Sequence, residues 1–183
     1  MDDIIVIDDF LTEEELTMAG SLSTYKNDTW EIYGSAPKGR EVTPNQSMFT
    51  FFKNVPPDFQ TSFLKKDLMD TEYYTSYIFN KIKKAFNQDY KLEDVYLNAY
   101  EPLRNGSFHV DGDADRTVII YITPWEPAWG GFTHFIKSQK DHAIIPPLLG
   151  RLVNFKSKLI HKAYAYCNSN CPIRITAAFK LKL

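Results

Sequence analysis

Cysteine is nearly absent from this chain: the 183 residues hold two, both within Cys167-Asn168-Ser169-Asn170-Cys171, too few for a disulfide framework. Across that polar turn they would pair in an oxidising compartment and stay thiols in a reducing one. Two thiolates make a poor zinc site, so a structural or incidental role is expected rather than redox chemistry. No apolar run approaches the roughly 18 residues of a membrane-spanning helix. Met1-Asp2-Asp3 opens the chain on acidic residues, without the apolar stretch of a secretory signal, so a cytoplasmic protein without a membrane partner is expected. A dominant charge is also missing. The formal net charge of −2 argues against a general nucleic-acid binder. The basic run Lys81-Ile82-Lys83-Lys84 lies beside Ile78, Phe79, Ile82 and Phe86 at helical spacing and reads as the solvated face of a helix.

What is present suits one compact enzyme-sized domain over 1–183, with no internal repeat, linker or low-complexity segment. The 44% apolar content and the 11 tyrosines and 13 phenylalanines suffice for a sizeable core. Ile4-Ile5-Val6-Ile7 reads as a short strand. Thr12-Glu13-Glu14-Glu15 is a capping box opening a helix to about Thr24. Tyr33 to Gln46 contains Gly34, Pro37, Gly39 and Pro44 without periodicity and reads as a long loop, either a lid or a surface excursion. Met48 to Lys53 looks like a strand, and Thr71 to Phe86 like a helix capped by Thr71. After Leu92 come short β segments near 93–101, 107–111, 116–123, 131–136, 142–146, 151–155, 160–166 and 173–182, at jelly-roll spacing. The expected fold is mainly β with flanking helices: a cupin-like double-stranded β-helix over 93–183. Residues 1–92 would supply strands, a lid loop and helices packed on one sheet.

Within the β half stand His109-Val110-Asp111 and, 50 residues on, His161. Strand side chains alternate between faces, so His109 and Asp111 point the same way and can grip one ion while His161 arrives from another strand. Two imidazoles and a carboxylate bind one face of Fe(II) and leave the opposite positions open. Four histidines and 14 aspartates give about 0.3 chance matches to His-x-Asp, and Gly112-Asp113-Ala114-Asp115 also fits an ordinary acidic turn. The triplet therefore takes its meaning from its surroundings. Thirteen residues after His161, Arg174 lies in an alternating strand with Thr176 on its face. An arginine turned into a barrel needs an anion, and a dicarboxylic cosubstrate would supply one through a bidentate pair, with the Thr176 hydroxyl as a second donor. An arginine on the wet face of an edge strand is the plainer alternative. His134 and His142 complete no triad and read as structural or rim residues.

Taken together the residues resemble the Fe(II)- and 2-oxoglutarate-dependent oxygenases, in particular their prolyl 4-hydroxylase-like branch. Tyr100-Glu101-Pro102 precedes the His-x-Asp segment as in that family, and Val118-Ile119-Ile120-Tyr121-Ile122 is similar to its next strand. Trp129-Gly130-Gly131-Phe132-Thr133-His134-Phe135 is similar to the branch's Gly-Gly-x-Thr-x-Phe segment, and Gly150-Arg151-Leu152-Val153-Asn154-Phe155 to the strand before its second histidine. The likeness covers 93–183 closely and the amino-terminal half in outline. It implies that His109, Asp111 and His161 bind Fe(II) as the catalytic centre and that Arg174 pairs with the distal carboxylate of 2-oxoglutarate. Tyr121, Tyr100 and Thr176 would help to hold that cosubstrate, Tyr121 most directly. O2 would be the second cosubstrate and ascorbate an optional reductant.

The implied reaction is hydroxylation of an unactivated carbon, which the carboxylate Asp111 favours over halogenation. Arg174 departs from the Lys of many collagen-type members and matches the oxygen-sensing ones. The implied substrate is a prolyl residue in a peptide or protein, with aromatics such as Trp125, Trp129, Tyr33 and Trp30 suited to a rim for extended chain. A free amino acid or other small metabolite is the alternative. A non-catalytic metal-binding β-barrel module is a third reading. No nucleic-acid substrate is expected, because the nucleic-acid branch carries an Asn and a second Arg where this chain has Thr176 and Lys180.

Overall fold

The computed structural model describes residues 2–23, 30–33 and 63–183. The expected strand at 48–53 and nearly all of the expected 33–46 loop lie outside them. Strands β1 (Ile4–Ile7), β2 (Glu31–Tyr33), β3 (Phe63–Asp67), β4 (Lys91–Tyr100), β5 (Arg116–Tyr121), β8 (Leu152–Lys156) and β10 (Arg174–Lys182) form one sheet in the order β1-β8-β5-β10-β4-β3-β2. Strands β6 (Thr133–Ile136), β7 (His142–Ile145) and β9 (Ile160–Ala163) form a smaller one in the order β7-β6-β9. All pairings are antiparallel, and the two sheets make a jelly roll rather than a closed barrel.

Seven of the eight segments expected after Leu92 are strands. The exception is 107–111, which meets β9 in a single bridge, His109 to His161. On either side of that bridge the amide of Gly106, just before the segment, bonds Ala163 O and that of Asp111 bonds Ser157 O. The three amino-terminal strands extend the larger sheet.

Helix α1 (Glu13–Leu22) starts as its sequence dictates: the Glu15 amide donates to Thr12 Oγ1 at 3.3 Å and the Thr12 amide to Glu15 Oε2 at 2.7 Å. The second helical stretch differs from expectation. Residues Tyr73–Ile78 form a π-helix and Phe79–Phe86 an α-helix, α2. Thr71 contributes its carbonyl to the amides of Tyr74 and Thr75 but no side-chain cap. The wider turn places Tyr73 and Tyr77 in a 5.8 Å stack that reaches Glu15 with both hydroxyls, while Tyr74 is buried in the core. Lys81 pairs with Glu15 at 2.6 Å and Lys83 with Asp89 at 3.7 Å, so the basic run is a solvated face, as expected.

The central strands β5 and β10 of the larger sheet are buried on both faces, and strand alternation decides what each face does. Val95, Leu97, Ala99, Val118, Ile120, Ile175, Ala177, Phe179 and Leu181 pack against Ala19, Tyr74, Ile78, Phe79 and Ile82 of the helical layer. This is the expected packing of helices on one sheet. The intervening residues of β4, β5 and β10 turn towards the smaller sheet. There Ile119, Tyr121, Val153, Phe155 and Ala178 meet Phe135 in a second core cluster, with Ile4 and Tyr96 packed against it.

Candidate active site

A cavity between the sheets is lined by His109, Asp111 and His161 at one side and by Tyr100, Arg174 and Thr176 along its floor. The register explains the floor. Arg174 stands opposite Tyr100, and Thr176 lies between Asn98 and Tyr121. Inward positions on β10 are thus 174, 176, 178 and 180, and on β4 they are 96, 98 and 100.

The ligand atoms of His109, Asp111 and His161 all lie within 4.8 Å of one another. His161 Nδ1 faces Leu159 O and His109 Nδ1 faces Ser107 O, each at 2.9 Å. A backbone carbonyl requires N–H there, which leaves each Nε2 with its lone pair available to a metal. The two Nε2 atoms sit 3.5 and 3.7 Å from Asp111 oxygens. Burial pushes His161 down to about 4, against the pull of Asp111, so at neutral pH it is an uncharged imidazole. Burial also pushes Asp111 upward, but Lys180, His161 and the hydrogen bond from Thr117 outweigh it and hold the carboxyl below its usual value. Asp111 Oδ2 takes the Thr117 hydroxyl at 2.8 Å and the Lys180 ammonium at 2.6 Å. This donor set, ionised and neutral where a metal needs it and closed on one side only, fits a divalent iron centre.

Arg174 is 1% exposed, yet among the described residues no carboxylate pairs with it. Its Nε donates to Gly131 O at 2.8 Å and its Nη2 to Thr133 Oγ1 at 2.9 Å. The rings of Tyr100 and Tyr121 flank its guanidinium carbon at 5.6 and 5.2 Å. A buried guanidinium held in place without a counter-ion is a receptor for an anion. Thr176, 3% exposed, lies on the same floor.

Tyr121 stands behind the wall rather than in it. Its hydroxyl bonds Thr133 Oγ1 at 2.7 Å, so it orients the groups that hold Arg174. Gly131 belongs to the same support: at φ +77 it leaves room for Tyr166, whose ring would lie 2.4 Å from an added Cβ.

Sequence reasoning missed the parts played by Thr133, Thr117 and Lys180. Strand alternation carries the signal for two of them, since Lys180 shares the face of Arg174 and Thr117 that of Tyr121. Thr133 stood in the Gly-Gly-x-Thr segment without an assigned role. The spare histidines meet each other, His134 Nε2 to His142 Nδ1 at 2.9 Å on the outer face of the smaller sheet, away from the triad. Both cysteines are free thiols. Among the described residues no helix is long and apolar enough to cross a membrane.

The sandwich and its inward triad together define the class of fold: the jelly roll of the 2-oxoglutarate- and Fe(II)-dependent oxygenases, which the sequence resemblance led us to expect. No family model matches the chain, and no curated protein matches it in sequence. Solved structures do match in fold. One is a prolyl hydroxylase from Trichoplax adhaerens in complex with a hypoxia-inducible factor oxygen degradation domain peptide, with TM-score 0.68 and 15% identity over 100% of this chain and 84% of that one. Another is the viral collagen prolyl hydroxylase of Paramecium bursaria Chlorella virus-1 in its 2-oxoglutarate complex, at 0.63 and 18% over 98% and 96%. A third is an α-ketoglutarate-dependent carbocyclase from nogalamycin biosynthesis, at 0.65 and 12% over 98% and 79%. At these identities the likeness establishes the fold, and function rests on the site.

Proposed function

We propose that this chain is an Fe(II)- and 2-oxoglutarate-dependent dioxygenase that hydroxylates an unactivated carbon, with a prolyl residue of a peptide or protein as the leading substrate. One observation carries the reading: a three-ligand group and a buried arginine that has no carboxylate partner among the described residues share a single cavity. His109, Asp111 and His161 would hold the metal, and Arg174, fixed by Gly131 and Thr133, would take the distal carboxylate of the keto acid, with Thr176 as a second donor. With iron and the keto acid bound, O2 as second cosubstrate would give one oxygen atom to the keto acid, which leaves as succinate and CO2, and the other to an unactivated C–H, which becomes C–OH. Phe155, Ile119 and Ala178 add apolar side chains to the lining of this part of the cavity. The prolyl assignment draws on the Gly130-Gly131-Phe132-Thr133 segment and on two of the fold relatives being prolyl hydroxylases. A structural metal module is disfavoured because three ligands, with the His109 side chain 42% exposed, leave the metal position open to incoming ligands.

Anaerobic titration of metal-free protein with Fe(II) and 2-oxoglutarate tests this without knowledge of the substrate. A visible charge-transfer band should form only with both components. Asp111→Ala should abolish iron binding and the band, and Arg174→Ala should raise the 2-oxoglutarate requirement at least tenfold with little change in the iron requirement, the loss of a buried charge-assisted pair. Folded wild-type protein that shows no band would refute the proposal.

A further inference from the structure

Three charged side chains line the cavity: Asp111, Arg174 and Lys180. The proposed chemistry uses the first two and leaves Lys180 over. Its ammonium lies 2.6 Å from Asp111 Oδ2 and 3.4 Å from Thr117 Oγ1, above the Tyr96 ring at 5.7 Å, with its side chain only 15% exposed. The nearby carboxylate of Asp94 is already matched by Lys65 at 3.2 Å. Among the described residues Asp111 is therefore the counter-ion of Lys180, and it is also the one carboxylate of the proposed metal-binding group.

Filling the site leaves the net charge as it was and moves the uncompensated positive charge from Arg174, which receives the dicarboxylate, to Lys180, which must share Asp111 with the cation. A divalent cation and a dicarboxylate cancel each other, and Asp111 cancels Arg174, so the loaded cavity holds one positive charge in excess, on Lys180. A buried ammonium that shares its carboxylate with a dication is costly unless another anion reaches it. Arg174 cannot lend its own anion. The two residues are six apart on one strand, about 20 Å at some 3.3 Å per residue, so they serve opposite ends of the cavity. Lys180 stands at the triad end, where the reacting carbon must come.

We infer that Lys180 is the substrate-specificity residue of this site and receives a carboxylate carried by the substrate near the carbon that reacts. The inference rests on the dioxygenase reading and deepens it. The carboxylate belongs either to a free amino or imino acid or to an acidic residue beside the target in a peptide.

Calorimetry on protein loaded anaerobically with Fe(II) and 2-oxoglutarate separates these sources. One pair of probes is N-acetyl-L-proline against its methylamide. The other is acetyl-Glu-Pro-Glu-amide against acetyl-Gln-Pro-Gln-amide. In at least one pair the acid should bind wild-type protein about tenfold or more tightly than its neutral counterpart, the worth of one charge-assisted hydrogen bond. Lys180→Met should erase that preference and Lys180→Arg should keep it. The pair that discriminates names the source. Equal binding of acid and neutral probe in both pairs, or no binding of either, overturns the inference while the visible band still stands. A Lys180→Met variant that keeps the preference but needs tenfold more 2-oxoglutarate also overturns it, assigning Lys180 to the cosubstrate. Absence of the band in wild-type protein overturns the dioxygenase reading and this inference with it.

Discussion

Thr133 joins the two elements that hold Arg174, and replacing it with valine isolates that role. Its hydroxyl accepts from Arg174 Nη2 at 2.9 Å and shares a hydrogen with the Tyr121 hydroxyl at 2.7 Å, and all three side chains are 1% exposed. Valine has nearly the same shape, so Thr133→Val opens no cavity. It strands one guanidinium N–H and one phenol instead. A hydrogen bond to a charged group contributes about 1.5–3 kcal/mol and a neutral one about 1 kcal/mol, so a loss of about 2–4 kcal/mol in unfolding free energy is expected. The freed guanidinium also loses its aim, and 2-oxoglutarate should bind at least tenfold more weakly. Urea unfolding reads the first effect and anaerobic titration of the visible band the second. Thr133→Ser keeps the hydroxyl and should recover most of the cosubstrate affinity, at about 1 kcal/mol of stability for the lost methyl. A valine variant within 0.5 kcal/mol of wild type and unchanged in 2-oxoglutarate affinity would refute this account of Arg174.

Two further outcomes follow from the same geometry. Gly131→Ala should cost more than Gly112→Ala. Both have positive φ, but an added Cβ at 131 would lie 2.4 Å from the Tyr166 ring while at 112 it meets nothing within 4 Å. About 1 kcal/mol is expected at 112 and at least about 3 kcal/mol at 131, read as the difference in urea midpoints; equal losses would show that Tyr166 yields freely. Metal-free protein should lose stability as pH falls from about 6.5 towards 4. Burial holds His161 neutral in the folded state down to about 4, so in that window the unfolded chain binds the extra proton, a contribution of up to about 3 kcal/mol. Asp111, whose folded carboxyl is held below its ordinary value, adds a further loss below about pH 4. Unfolding midpoints measured between pH 7 and 4.5 should slope for wild type and flatten for His161→Gln; parallel slopes would remove His161 as the cause.

Local patterns were legible in the chain without the fold. The Thr12 capping box depends on residues three apart, and the positions of seven β segments, though not their exact ends, follow from alternation and turn residues, so both needed only near neighbours. The same holds for the shared direction of His109 and Asp111 and for the inward face of Arg174 and Thr176. The π-helix at Tyr73–Ile78 was not legible, because it answers to contacts with Glu15 nearly 60 residues away. Nor was the reduction of 107–111 to a single bridge, which is set by where β9 and Ser157 place their carbonyls.

The sequence by itself determined which side chains are available and which of them face the same way: the His-x-Asp pair, a later histidine, an arginine inside an alternating strand. Backbone geometry repeats every two residues along a strand, so such facts are written locally. The tertiary structure alone decided that these groups meet. It set the 4.8 Å cluster of ligand atoms, left Arg174 buried with no carboxylate beside it among the described residues, bonded Tyr121 to Thr133, and brought Lys180 against Asp111 from 69 residues away. Charge balance and desolvation depend on every group around a cavity, and only the packing of two sheets chooses those groups.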